Sequence, residues 1–141
     1  MNTTKYLFFD TETTGLPRNF KAPVTDLDNW PRLVQLAYAV FDENENELAR
    51  VNQIIKPQGF TIPAEVSKLH GISQERAMQE GIDLTTALVE FTEWVNKADV
   101  LVAHNISFDE KIVGAEFLRN KMTDTVQGAK KICTMQASTD Y

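Results

Sequence analysis

The stretch Lys5-Tyr6-Leu7-Phe8-Phe9-Asp10-Thr11-Glu12 constrains this chain more than any other. Residues 5–12 are short and aromatic-rich, and Thr13-Thr14-Gly15-Leu16-Pro17 ends them as a turn. That combination reads as a buried strand. It closes on two acids two positions apart. A strand repeats its faces every second residue, so Asp10 and Glu12 share one face. Carboxylates at the end of an apolar strand are costly to bury without a counter-charge. Two readings answer that cost. Asp10 and Glu12 are loop-edge acids in solvent, or they are hard oxygen ligands for Mg²⁺ or Mn²⁺.

The rest of the chain supplies the sheet that such a strand needs. Residues 17–31 carry Pro17, Pro23 and Pro31 with Asp26, Asp28 and Asn29, and read as a loop. Leu33 to Phe41 is a second apolar run, and Leu48 to Ile55 a third, ended by Lys56-Pro57. Only the polar turn Asp42-Glu43-Asn44-Glu45-Asn46 separates these two runs, so they form a hairpin. Pro63 suits a first helical turn and Gly71 the position just past a helix end. Ser73 caps a short helix that Gly81 closes. From Asp83 onward, Leu84, Ala87, Leu88, Phe91, Trp94 and Val95 fall on one helical stripe. Val100-Leu101-Val102-Ala103 is unbroken in its apolarity, the pattern of a strand covered on both faces. A helix with Phe108, Ile112, Ala115 and Leu118 or Arg119 follows, and Lys131 to Met135 reads as a fifth strand. The order predicts an α/β domain over residues 1–141, a mixed sheet of about five strands with flanking helices. Ligand sites in such sheets gather at strand ends beside a topological break.

Composition limits the partners. Against 20 Asp and Glu stand 14 Lys and Arg, a net charge of −6. A broad basic surface for nucleic acid is thereby excluded, so any polyanion must be met by metal ions or a few local donors. One cysteine, Cys133, excludes an internal disulfide framework and a cysteine-built zinc site. No stretch approaches the roughly 18 apolar residues of a membrane span. Met1-Asn2-Thr3-Thr4 leads straight into the first strand with no small-residue cleavage site. The expected setting is the cytoplasm, with no membrane partner.

Four segments carry a resemblance. Phe9-Asp10-Thr11-Glu12-Thr13-Thr14-Gly15-Leu16 resembles the first motif of the DEDD superfamily of 3′-to-5′ exonucleases. Ala103-His104-Asn105-Ile106-Ser107-Phe108-Asp109 resembles its second motif. Val34-Gln35-Leu36-Ala37 and Leu69-His70-Gly71-Ile72-Ser73 are similar to landmarks between those motifs in the proofreading (epsilon) branch, which serves bacterial DNA polymerase III. The resemblance implies a ribonuclease-H-like fold and two divalent metals, Mg²⁺ or Mn²⁺, held by four acids. Asp10, Glu12 and Asp109 match three of these catalytic and metal-binding positions. It further implies that Thr13, Gly15 and Leu16 pack on the terminal nucleotide and offer it backbone donors. His70 would stand beside its sugar, and Asn105 and Phe108 near the terminal and penultimate nucleotides. The implied partners are a single-stranded nucleic-acid 3′ end and a DNA polymerase subunit.

Each residue also has a plainer reading. Asp109 suits a helix first turn through the dipole, and Ser107 with Glu110 matches a capping box. His70 favours a helix C-terminus, Asn105 a helix cap, and Phe108 a core. His104 is expected to satisfy backbone groups beside a buried strand, and Cys133 to act as a small buried hydrophobe. The superfamily's third motif, H-x-x-x-x-D or Y-x-x-x-D, supplies the general base and fourth acid. Here the histidines are His70 and His104, and beyond Asp109 the aspartates are Asp124 and Asp140, neither in such a pattern. The expectation is therefore a truncated domain whose C-terminal helices are absent, weak or inactive as it stands. The alternatives are a noncatalytic nucleic-acid-end or protein-interaction module, and a short-RNA exonuclease.

Overall fold

The computed structural model describes residues 3–135; Asp140 and Tyr141 lie outside the described residues. Strands β1 (Lys5–Thr13), β2 (Leu33–Asp42) and β3 (Glu47–Ile54) come first. Helices α1 (Ala64–His70), α2 (Gln74–Glu80) and α3 (Leu84–Lys97) follow, then β4 (Val100–Ala103), α4 (Ile106–Arg119) and β5 (Lys131–Cys133). The sheet order is β3-β2-β1-β4-β5. β2 pairs antiparallel with β1 and β3, whereas β4 runs parallel to β1 and β5. This is the expected mixed ribonuclease-H-like sheet. β1 is where direction switches, so the C-terminal ends of β1 and β4 fall on one rim of the sheet.

Local chemistry sets the element ends. Pro63 is the N-cap of α1, and Gly71 ends it at φ 78°, donating its N–H to the Ser67 carbonyl at 2.7 Å. That left-handed position favours glycine. Ser73 Oγ accepts from the Arg76 N–H at 3.0 Å and starts α2, and the Asp83 carboxylate accepts from the Thr86 N–H at 3.2 Å and starts α3. The predicted box of Ser107 and Glu110 is not what begins α4. Its N-cap is Asn105, which makes no side-chain capping bond, and Ser107 Oγ instead accepts from Lys111 Nζ at 3.1 Å. The helix starts two residues earlier than that box requires.

Leu7 and Phe9 of β1, Leu36, Tyr38 and Val40 of β2, Leu88 and Phe91 of α3, and Ile112 and Phe117 of α4 fill one core. Phe91 meets Phe9 and Tyr38 at ring separations of 5.6 and 5.1 Å. On the opposite face Phe8, Ala37, Ala39 and Phe41 lie open, with Phe8 44% exposed. Val34, Ile62, Ile72 and Ala77 form a second, smaller cluster that seats α2 and the residues on either side of α1. Thr134 and Met135 fall outside the fifth strand, which is shorter than expected.

Candidate active site

Alternation along β1 does what the spacing predicts. Leu7, Phe9, Thr11 and Thr13 are buried on the helix-covered face, and Asp10 and Glu12 emerge on the other. The pairing slips at this end: Glu12 faces Gln35 but Thr13 faces Leu33, leaving Val34 extra. Such a bulge re-aims the side chains around it. Asp109 comes from the first turn of α4 and is 5% exposed. The Thr11 hydroxyl donates to its Oδ1 at 2.6 Å. Burial pushes the Asp109 carboxyl up to about 6; the Thr11 bond opposes this, while Asp10 and then Glu12 add to it. Glu12 is also raised, by burial first and Asp10 second, with His70 pulling it back. Three acids therefore crowd one end of β1 and feel one another's charge.

Among the described residues, no group of three or more His, Cys, Asp or Glu is arranged to hold a metal ion. Asp109 reaches β1 on the Thr11 side, while Asp10 and Glu12 point to the other. The donor chemistry nonetheless fits a hard divalent cation. All three groups are carboxylates, and a cation relieves the mutual repulsion that raises Glu12 and Asp109.

Beside Glu12 opens a cleft of about 540 Å³ whose walls include Thr13, Gly15, Leu16, Leu69, His70 and Phe108. Leu16 and Leu69 are 77% and 86% exposed, so their side chains form an apolar lip rather than core. The His70 Nδ1 accepts from the Ile72 N–H at 3.1 Å. A neutral ring with Nδ1 as acceptor carries its proton on Nε2, and Nε2 is buried without a partner among the described residues. The Thr14 N–H goes to the Arg32 carbonyl at 3.0 Å and the Gly15 N–H to Thr13 Oγ1 at 3.3 Å, so both are engaged within the protein. His104 is exposed, and its Nδ1 pairs with Thr134 Oγ1 at 3.1 Å rather than with backbone. Cys133 is buried as expected and donates to the His104 carbonyl at 3.2 Å.

The chain matches the family model described as Exonuclease over residues 7–141. The chain belongs to this exonuclease family. It is 30% identical over 131 residues to the DNA polymerase III subunit epsilon of Treponema pallidum, covering 88% of this chain and 54% of that protein. It is 33% identical over 134 residues to the PolC-type DNA polymerase III of Listeria innocua, covering 89% of this chain and 8% of that one. Its span is thus about half of the epsilon relative and a small part of the PolC relative. Among solved structures, exonuclease I in complex with an inhibitor superposes at TM-score 0.79 and 16% identity, over 98% of this chain and 30% of that one. E. coli exonuclease I in complex with a dT13 oligonucleotide gives 0.76 and 18%, over 95% and 29%. These superpositions share the fold.

Three residues that brace the candidate site escaped sequence reasoning: Thr11, Arg32 and Glu116. Glu116 is fully buried, yet it accepts from Arg32 Nε at 3.1 Å, Arg119 Nη1 at 2.8 Å and the Leu33 N–H at 2.9 Å. Arg32 in turn closes the Thr14 turn, its N–H donating to Thr14 Oγ1 at 2.9 Å. A signal existed, because Asp109, Ile112 and Glu116 are spaced to share one helical face. A charge on a buried stripe requires a partner.

Proposed function

We propose that this chain hydrolyses phosphodiester bonds from the 3′ end of single-stranded nucleic acid in a Mg²⁺- or Mn²⁺-dependent reaction. The observation that carries this reading is the placing of Asp10, Glu12 and Asp109 at one strand end, beside a cleft of about 540 Å³. Leu16, Leu69 and Phe108 offer apolar surface to a base and a sugar. His70 lines the same cleft, where its ring would stand beside the terminal nucleotide. The Asn105 side chain, not spent on capping α4, faces the same task. Thr11 fixes the Asp109 carboxyl, which with Asp10 and Glu12 would hold the cations. Bound cations supply a water of lowered pKa and charge stabilisation at the leaving 3′-oxygen.

His70 Nδ1 is taken by the Ile72 N–H and is not free to accept from a water. Apart from the acids themselves, no described side chain in the cleft takes up a proton. A positioned base contributes about 10²–10⁴-fold, so the chain turns over slowly. This absence favours a second reading, binding of a nucleic-acid end without catalysis. The setting we infer is the cytoplasm, with a polymerase subunit as companion; no described helix is long and apolar enough to cross a membrane.

The test uses 5′-labelled DNA and RNA strands with Mn²⁺ and Asp10→Ala as the blank. Slow shortening by single nucleotides from the 3′ end, absent in the blank, is expected. Binding to ends that depends on Asp10 but leaves the strand whole selects the second reading. Internal cutting, or neither cutting nor binding, defeats both.

A further inference from the structure

The loop of residues 17–31 between β1 and β2 has no regular structure, yet it is held tightly. Asn29 clasps Asn19 twice: its Oδ1 accepts from the Asn19 N–H at 2.8 Å, and its Nδ2 donates to the Asn19 carbonyl at 2.9 Å. The Lys21 N–H donates to Asn19 Oδ1 at 2.9 Å, and Trp30 Nε1 to the Pro23 carbonyl at 2.9 Å. Arg119 Nη2 bonds the Leu27 and Trp30 carbonyls at 2.7 and 2.8 Å, fastening the loop to α4. Ala22, Asn29 and Trp30 are buried. One large apolar side chain of this clasped loop stays out: Phe20 is 53% exposed. Its ring sits 6.2 Å from that of Phe108, at an interplanar angle of 50°. Phe108 is a wall of the cleft and Phe20 is not, so Phe20 extends the aromatic surface outward from the cleft.

We propose that Phe20 is a base-stacking residue, carrying a nucleotide upstream of the one at Phe108, and that the rigid 17–31 loop exists to present it. The proposal rests on the 3′-end reading above and extends it to a recognised strand of at least three nucleotides. Every base has an apolar face, so stacking on a ring is independent of sequence. The two rings stand 6.2 Å apart and tilted by 50°, so each would take a base of its own rather than share one. Charge agrees with this path. Arg18 and Lys21 flank Phe20 in the chain and are exposed, and Lys111 lies over the Trp30 ring at 5.6 Å. Arg18 is anchored by its bond to the Asp28 carbonyl at 3.2 Å. Arg18 and Lys21 are the cations the loop offers a phosphate beside Phe20, while Asp26 and Asp28 lie further along it.

The test measures equilibrium binding of phosphorothioate-linked thymidine di- and pentanucleotides, which resist hydrolysis, with Mn²⁺ present. Wild type and Phe20→Trp bind the pentanucleotide tightly. Phe20→Ala binds it about 5- to 50-fold more weakly, the loss of one stacked base, while its dinucleotide affinity is unchanged. Circular dichroism confirms that the exposed substitution leaves the fold intact. Equal pentanucleotide affinity in wild type and Phe20→Ala, or an equal loss on both ligands, overturns the role of Phe20. In that case Asp10-dependent dinucleotide binding shows the 3′-end reading still standing. Failure of wild type to bind either ligand overturns both.

Discussion

At Asp109, burial and charge oppose each other. Its carboxyl titrates near 6 in the folded chain, above the ordinary 3.8. The folded state therefore holds this proton more tightly than the unfolded state. Stability from this group is complete below the ordinary value and is lost as pH rises through about 6. Asp109→Asn removes the charge and keeps an acceptor for Thr11. It should stabilise the chain by about 2–3 kcal/mol at pH 7 and by little at pH 4. Thermal melts of both proteins across that range check this. Glu116 is the opposite case, a buried charge satisfied on every side. Glu116→Gln leaves Arg32 and Arg119 without their anion, and should cost about 3 kcal/mol in denaturant unfolding. Nucleotide affinity should fall with it, because Arg32 closes the Thr14 turn.

α4 shows how little room the elements leave. A Cβ on Gly114 would stand 2.6 Å from Asp124 Oδ2 and 2.8 Å from Val24 Cγ2. Glycine there lets the helix meet both the 17–31 loop and the chain before β5. Asp124 is held in place by the Val126 N–H at 3.1 Å, so it does not swing aside freely. Gly114→Ala should destabilise by about 1–3 kcal/mol, as overpacking does, despite alanine's better helix propensity. Urea unfolding measures it, and a neutral or stabilising result would show that the loop yields. α4 is buried on nearly every side, including Asp109 and Glu116. A two-faced helical pattern therefore understates it, and a helix wheel finds Ile112 and Ala115 but not the polar contacts.

In the whole molecule, the helices of the main core cover one sheet face. Phe8 and Phe41, in edge-to-face contact at 5.9 Å, remain on the open side, and Ile132 of β5 is 40% exposed. Apolar surface of that kind attracts a partner or a dye. The chain should enhance the fluorescence of an apolar dye while folded, or sediment as a self-associated species. Phe8→Ser should reduce whichever is seen. A monomer that binds no dye would contradict the open face.

Periodicity and turn chemistry made most of the fold legible. The β2–β3 hairpin, the α1–Gly71 stop, the Ser73 and Asp83 caps and the α3 stripe each follow from residues adjacent in the chain. So does the shared face of Asp10 and Glu12, because a strand's period needs no tertiary information. What lay beyond reach depended on residues far apart in sequence. Thr11 takes Asp109 across 98 positions, and Glu116 collects Arg32 across 84. No local pattern encodes such pairs, since their cost and gain arise only when both partners leave water together. The start of α4 and the end of β5 shifted for the same reason. The chain's own residues determined which groups could bind a cation and a nucleotide; packing alone decided that Asp109 is buried on the Thr11 side and that the 17–31 loop holds Phe20 against Phe108.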